Sequence, residues 1–431
     1  MIRFIYNLFW PLGLLIFLPG YFAKMIRRGG YREKFGQRLG IYDSKVRNRL
    51  SNQRSTWLHA VSVGEVNIAL KLANALRALE PNLRCVLTTT TTTGFALARK
   101  TAPPWIEAMY MPLDYWSIMR RAFSVIRPTR IVLVEAEVWP NLAAAAHARR
   151  IPVALVNARL SPRSERRYRR FRFFVAPTFR LLDLVCVPER RDIERWAALG
   201  VPRNRIQLTG SIKFDPDVAK AEAVAASLCD ATGGFKSDSL VIFGGSTHPG
   251  EEEILAKVFL RLREHFPSLR LFIAPRHVER LQEIRAQLGA MPMRLTLTSK
   301  ALNPNAADAD CMLLDTTGEL QRWYGIATVV FIGKSLSAHG GQNPVEPILA
   351  GKPVVFGPHM ENFATLAKTL VSNNAAMQVN DTHSLERTLG ELLRDSESRR
   401  RLVENAHTAL SEHKGGTART AKLVHELGQR R

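Results

Sequence analysis

The stretch 331–357, FIGKSLSAHGGQNPVEPILAGKPVVFG, decides how this chain is read. With Val329 and Val330 just before it, Phe331 and Ile332 complete an apolar run of the kind buried in a parallel sheet. Gly333, Gly340 and Gly341 follow, and glycine lets a backbone come close to a ligand. A helix is predicted to open near Asn343-Pro344, with Pro344 at its first position, where a missing N–H costs little, and Glu346 in its first turn. The free N–H groups of such a turn suit phosphate oxygens, and the helix dipole favours negative charge there. The Glu346 carboxylate, with two acceptor oxygens, suits a pair of ribose hydroxyls. An ordinary strand-to-helix turn would explain the same residues, so the stretch acquires meaning only from its neighbours.

Outward from it, apolar strands alternate with helical segments. In the second half the expected strands are Leu240 to Phe243, Leu271 to Ala274, Met312 to Leu314, the Val329 run and Pro353 to Phe356. In the first half they are Trp57 to Val61, Leu83 to Thr93, Ile131 to Val138, Val153 to Asn157, Leu184 to Val187 and Ile206 to Thr209, with an amphipathic helix over 66–79. Strands separated by helices predict an α/β fold in two halves, each a parallel sheet covered on both faces. Ala, Asp, Gly and Ser accumulate between them. The expected organisation is a segment 1–30, a domain over 31–215, a linker over 216–238, a domain over 239–405, and a helix over 406–431 returning to the first domain. The ligand cleft is expected at the C-terminal ends of the two sheets.

The chain has 431 residues, enough for two such domains, and its 46% apolar and 23% charged residues fit a globular protein. Lys plus Arg outnumber Asp plus Glu by 61 to 38, a net charge of +23, which implies a polyanionic partner. Phe4 to Ala23 is apolar apart from Asn7 and, as a helix, would be about 30 Å long, the thickness of a bilayer core. Lys24, Arg27, Arg28, Arg32 and Lys34 follow at once, so the positive-inside rule places the body of the protein in the cytoplasm. Pro11 and Pro19 leave an interfacial anchor as the alternative to a spanning one. Cys85, Cys186, Cys229 and Cys311 form no metal or redox motif and read as thiols of a reducing compartment. No metal ligand set is assigned.

Three further loops should join the opening stretch. Gly244-Gly245-Ser246-Thr247 is a second glycine-rich segment, expected to lead to a helix from His248. Pro275-Arg276-His277 ends a strand with an arginine suited to phosphate. Thr317-Gly318-Glu319 follows a short strand. Together these predict a nucleotide site without the G-x-G-x-x-G fingerprint. The first half supplies carboxylates. Glu65 follows a strand, in a Ser62-x-x-Glu65 capping pattern. Glu135 and Glu137 are expected within an apolar strand, projecting to one side, where buried acids are costly and so point to function. Lys213 falls at the end of the first half. The segment 159–172, RLSPRSERRYRRFR, carries seven arginines, among them Arg159, Arg163, Arg166 and Arg167. Behind an anchor such a segment fits anionic lipid headgroups or a phosphorylated lipid better than nucleic acid.

The ordered set WLHAVSVGE (57–65), EAEVWPN (135–141), NARLS (157–161), GGST (244–247), APRH (274–277) and GQNPVE (341–346) resembles the 3-deoxy-D-manno-octulosonic acid (Kdo) transferases. That resemblance implies a GT-B glycosyltransferase, two Rossmann-like domains facing a cleft with an N-terminal anchor at the inner membrane. It implies CMP-Kdo as donor, the lipid A precursor as acceptor, no metal or other cofactor, and no nucleic-acid partner. It also implies Glu65 as general base, with Glu135 and Lys213 stabilising the transition state and Glu137 as second choice. Pro275, Arg276, His277, Thr317, Gly318, Glu319, Asn343, Pro344, Val345 and Glu346, with Ser246, would contact CMP. The alternatives by residue chemistry are a transferase using a UDP- or GDP-sugar and a basic nucleic-acid-binding protein.

Overall fold

The computed structural model describes residues 4–9, 34–51, 53–215, 239–300, 309–316 and 320–429. Residues Met1–Asp215 and His413–Arg431 form one compact unit and Pro216–Glu412 a second. The expected linker, most of the expected anchor, and Thr317, Gly318 and Glu319 lie outside the described residues.

The first unit is built on β1 (Ser55–His59), β2 (Cys85–Thr89), β3 (Ile106–Tyr110), β4 (Pro128–Val134), β5 (Val153–Val156), β6 (Leu184–Val187) and β7 (Ile206–Leu208). They form a seven-stranded sheet in the order β3-β2-β1-β4-β5-β6-β7, and every pairing is parallel. The strands are apolar because helices cover both faces: β1, β2, β5 and β6 are buried throughout. The Val63–Leu79 helix buries Val66, Ala69, Leu72, Ala73 and Leu76, the face that its apolar periodicity marks. The last helix, Gly416–Gln429, adds Ala421 and Val424 to the same core. An ion cluster fastens it: Glu80 takes the Arg130 guanidinium on both oxygens at 2.7 and 2.8 Å, and His425 Nδ1 lies 2.6 Å from Glu80 Oε1. Strand order reverses between β1 and β4, so the loops leaving those two strands flank the switch point, where open α/β sheets hold their ligands.

The second unit repeats the plan with β8 (Val241–Thr247), β9 (Arg270–Pro275), β10 (Leu295–Leu297), β11 (Cys311–Leu313), β12 (Val329–Ile332), β13 (Val354–Phe356) and β14 (Met377–Gln378). Their order is β10-β11-β9-β8-β12-β13-β14, again with parallel pairings. Its switch point lies between β8 and β12. Gly333 leaves β12 there because a Cβ on it would sit 2.2 Å from the Ser246 carbonyl oxygen.

Four expectations are corrected. β4 stops at Val134, because Glu135 takes a left-handed conformation, φ 64°. Glu135 and Glu137 therefore stand in the turn beyond the strand rather than on one side of it. β8 continues through Gly244–Thr247, and its helix starts at Glu251 rather than His248. Pro344 is the cap of the following helix and not its first residue. That helix, Val345–Leu349, has only five residues, too few for a substantial dipole. Among the described residues no helix is long and apolar enough to cross a membrane. Residues 4–9 are helical, and the side chains of Asn7 and Asn141 exchange hydrogen bonds of 2.9 and 3.0 Å.

Candidate active site

In the first unit the site grows from the end of β1. Ser62 caps the Val63–Leu79 helix, and its hydroxyl accepts from the Glu65 N–H. Glu65 turns back into the cap: Oε1 accepts from the Ser62 hydroxyl at 2.9 Å and Oε2 from the Val61 N–H at 2.8 Å. Such hydrogen bonds would leave an ordinary surface glutamate ionised. Here Glu65 is only 9% exposed, and burial, reinforced by the negative charges of Glu135 and Glu137, pushes its carboxyl up to about 7 despite those hydrogen bonds. A carboxylate held in place and titrating near neutrality suits general-base work.

Glu135 and Glu137 complete this corner from the far side of the switch point. Burial raises both; Arg159 and Lys213 pull Glu135 back towards the charged form, and Arg167 does so for Glu137. Burial conversely lowers the Lys213 ammonium, with Glu135 opposing it and Arg159 reinforcing it. The ends of β4, β5 and β7 thus supply a mixed-charge cluster beside Glu65. Asn157, which is fully buried, holds the Lys213 segment in place: its Oδ1 accepts from the Ser211 hydroxyl and the Ile212 N–H, both at 3.2 Å. Lys213 Nζ and the Arg159 guanidinium both lie over the Phe214 ring, at 5.7 and 5.8 Å. Arg163, Arg166 and Arg167 are exposed on the Pro162–Arg170 helix. Beyond its end Phe171, Phe173 and Phe174 are 49%, 68% and 48% exposed, a basic face continuous with an apolar one.

In the second unit the loops after β8, β9 and β12 meet. His248 Nε2 lies 3.2 Å from Gln342 Nε2, and its ring packs edge-on to His277 at 5.8 Å. Burial drives the His248 imidazole down to about 4, and the positive charges of Lys334, His277, Arg280 and Arg276 drive it the same way. An anion at this point would find a concentration of cations. Lys334 and His248 escaped the sequence reading, although a basic residue directly after Gly333 was the available signal. Asn343 organises the short helix: its Oδ1 accepts from the Val345 N–H at 3.1 Å and its Nδ2 donates to Glu346 Oε1 at 3.3 Å. Pro275 closes β9 beneath Arg276, whose N–H bonds the Thr247 carbonyl at 3.0 Å.

Of the expected phosphate donors the Val345 N–H is already held by Asn343, and other N–H groups around the glycine-rich loop are committed too. The buried Glu251 carboxylate takes N–H groups from His248, Lys334, Ser335 and Leu336 at 2.7–3.1 Å. Burial raises its carboxyl while those donors pull it down. The glycine-rich loop is therefore laced to the start of the Glu251–Arg263 helix, and cationic side chains rather than its first N–H groups are left to meet an anion. Glu252 is likewise structural, accepting from Thr247 Oγ1 at 3.0 Å and Arg280 at 2.9 Å. No acidic metal cluster of the D-x-D kind is expected, yet the sequence holds two such triplets, 215–217 and 308–310. Of their described members, Asp215 accepts the N–H groups of Gly415 and Thr417, both at 2.7 Å, and Asp310 pairs with Arg263 at 2.8 Å and Arg294 at 3.3 Å. Neither is left over for a metal.

Two parallel-sheet units, each with its polar cluster at the switch point, define a glycosyltransferase-type architecture, the GT-B fold. In agreement, the chain is similar over 87% of its length, and 99% of the other chain's, to a crystallised glycotransferase of kitacinnamycin, with a TM-score of 0.50 and 14% identity. Residues 33–216 match the family model described as 3-deoxy-D-manno-octulosonic-acid transferase (kdotransferase). The chain is 32% identical to the 3-deoxy-D-manno-octulosonic acid transferase of Haemophilus influenzae, covering 91% of both. It is 33% identical to that of Bordetella pertussis, covering 93% of both. The chain belongs to the Kdo transferase family.

Proposed function

We propose that this chain is an inverting glycosyltransferase that moves Kdo from CMP-Kdo to the lipid A precursor, a tetraacyldisaccharide 1,4'-bisphosphate, with release of CMP. Family membership supports Kdo transfer as part of lipopolysaccharide synthesis. The observation that carries the mechanism is Glu65, positioned by its own helix cap and raised to about 7 by burial. A sugar hydroxyl ionises far above neutrality, so its proton must leave as attack proceeds. In this reading the Glu65 carboxylate takes that proton. The freed oxygen bonds the anomeric carbon of Kdo, and the bond to the CMP phosphate breaks with its electron pair on the phosphate. One displacement at one carbon inverts it. Glu135 and Lys213 stabilise the charge that develops.

On the donor side Arg276, Lys334 and His277 offset the departing phosphate, and Asn343 and Glu346 address the nucleoside. This requires no metal. The basic helix and the exposed Phe171, Phe173 and Phe174 support contact with the anionic surface in which such an acceptor lies. That reading places the enzyme at the cytoplasmic face of the inner membrane. Incubating purified protein with CMP-Kdo and lipid A precursor, and reading products by mass, tests the assignment. A product carrying Kdo supports it; inactivity with CMP-Kdo alongside transfer from a UDP-sugar removes it.

A further inference from the structure

Among the described residues, and outside those assigned above, one cluster has the composition of a metal centre. His339, in the glycine-rich loop after β12, and His359 and Glu361, in the loop after β13, each present a ligand atom within 4.8 Å of the others. Glu361 Oε1 lies 3.2 Å from His339 Nδ1 and 3.5 Å from His359 Nδ1. A zinc-class ion with bonds of about 2.0–2.1 Å in tetrahedral geometry sets its ligand atoms about 3.4 Å apart, which both distances match. The second carboxylate oxygen, Oε2, accepts the Gly340 N–H at 2.6 Å, fixing the carboxylate as outer-sphere hydrogen bonds do for metal ligands. The two imidazoles lie with ring centroids only 3.8 Å apart, converging on one oxygen.

We propose that His339, His359 and Glu361 form a binding site for a divalent cation of the zinc class, with a fourth position open to water. Two imidazoles and one carboxylate suit Zn2+, Co2+ or Ni2+ and disfavour Mg2+, which prefers oxygen ligands. The site is distinct from the chemistry proposed above, since no catalytic group takes part in it. What it joins is two loops. The Gly340 N–H bonds Glu361, the Gly340 carbonyl accepts from the Asn362 N–H at 2.9 Å and the Ser335 carbonyl from the His359 N–H at 3.0 Å, so an ion there adds to ties already present between them. The next residues, Gly341 to Glu346, carry the donor motif, so the ion stiffens that motif; this consequence rests on the donor reading.

The test uses the full chain freed of metal with a chelator and titrated with Co2+ and Zn2+. One Co2+ should bind with the intense visible absorption of a tetrahedral centre and be displaced by Zn2+. His339→Ala and Glu361→Gln should each weaken binding at least about tenfold. Both positions are exposed, and unchanged circular dichroism should report intact folding. A native chain that binds no Co2+, or variants that bind as the native chain does, would overturn the site. The shift in melting temperature caused by CMP, measured with and without Zn2+, is read separately. Absence of any CMP effect alongside intact Co2+ binding would count against the donor reading and leave the metal site standing.

Discussion

Replacing Glu65 by glutamine should abolish sugar transfer and at the same time stabilise the protein, by an amount that grows with pH. Glutamine keeps the shape and can still accept from the Val61 N–H, the contact at 2.8 Å. What it removes is a carboxyl whose value rises from 4.5 to about 7 on folding because of burial beside Glu135 and Glu137. Between those values the folded protein holds a proton that the unfolded chain has released, so native stability falls as pH rises through the window. Above it the full cost applies, about 3 kcal/mol at 1.36 kcal/mol per pH unit. The Gln variant escapes that cost. Its melting temperature should exceed the native one at pH 8, and the difference should shrink towards pH 5. The same ionisation should give the native enzyme an acidic limb in kcat/KM near pH 7. A variant less stable than native at pH 8, or a stability difference independent of pH, would refute the claim that Glu65 is held at a cost for its chemistry.

Arg276→Ala and Lys334→Ala should each weaken CMP binding by roughly 10–100-fold, the value of a charge-assisted contact, as read by calorimetry; unaltered affinity in both would move the phosphate elsewhere. Glu251→Ala orphans four backbone N–H groups and should cost about 3 kcal/mol or more, lowering the melting temperature and removing the response to CMP together. A melting curve like the native one would mean the loop holds its shape without that carboxylate. Glu80→Ala strips the Arg130 guanidinium, whose side chain is only 5% exposed, of its partner. It should cost about 2–4 kcal/mol in urea unfolding, whereas a cost near zero would make the cluster holding the last helix irrelevant.

Most of the two sheets was legible because parallel strands buried on both faces leave unbroken apolar runs, as at Leu184–Val187 and Val329–Ile332. β3 was missed because Glu107 and Ala108 interrupt it at the sheet edge, where Arg49 meets Glu107 at 2.8 Å. β10, an edge strand of three residues, and β14, of two, carry too short a pattern to register. Glu135 shows the opposite error. Its apolar neighbours Ala136 and Val138 continue a strand-like alternation, but the left-handed turn at Glu135 is a backbone property that composition does not reveal. Of the candidate site, Glu65 and Arg276 were legible from their places after strands. That Lys334 and Arg280 join Arg276 beside His248 was not, since they come from elements distant in sequence. Nor could spacing show that Glu251, far away in sequence, takes the N–H groups of Lys334, Ser335 and Leu336 in the glycine-rich loop.

The most direct measurement is transfer from CMP-Kdo to lipid A precursor by the native chain and by Glu65→Gln, across pH 5 to 9, with both proteins first shown to bind CMP equally. The native chain should form product, with a rate rising through pH 7, while the variant binds CMP and forms none. Product from the variant at a rate near the native one would contradict the proposal that Glu65 takes the acceptor's proton.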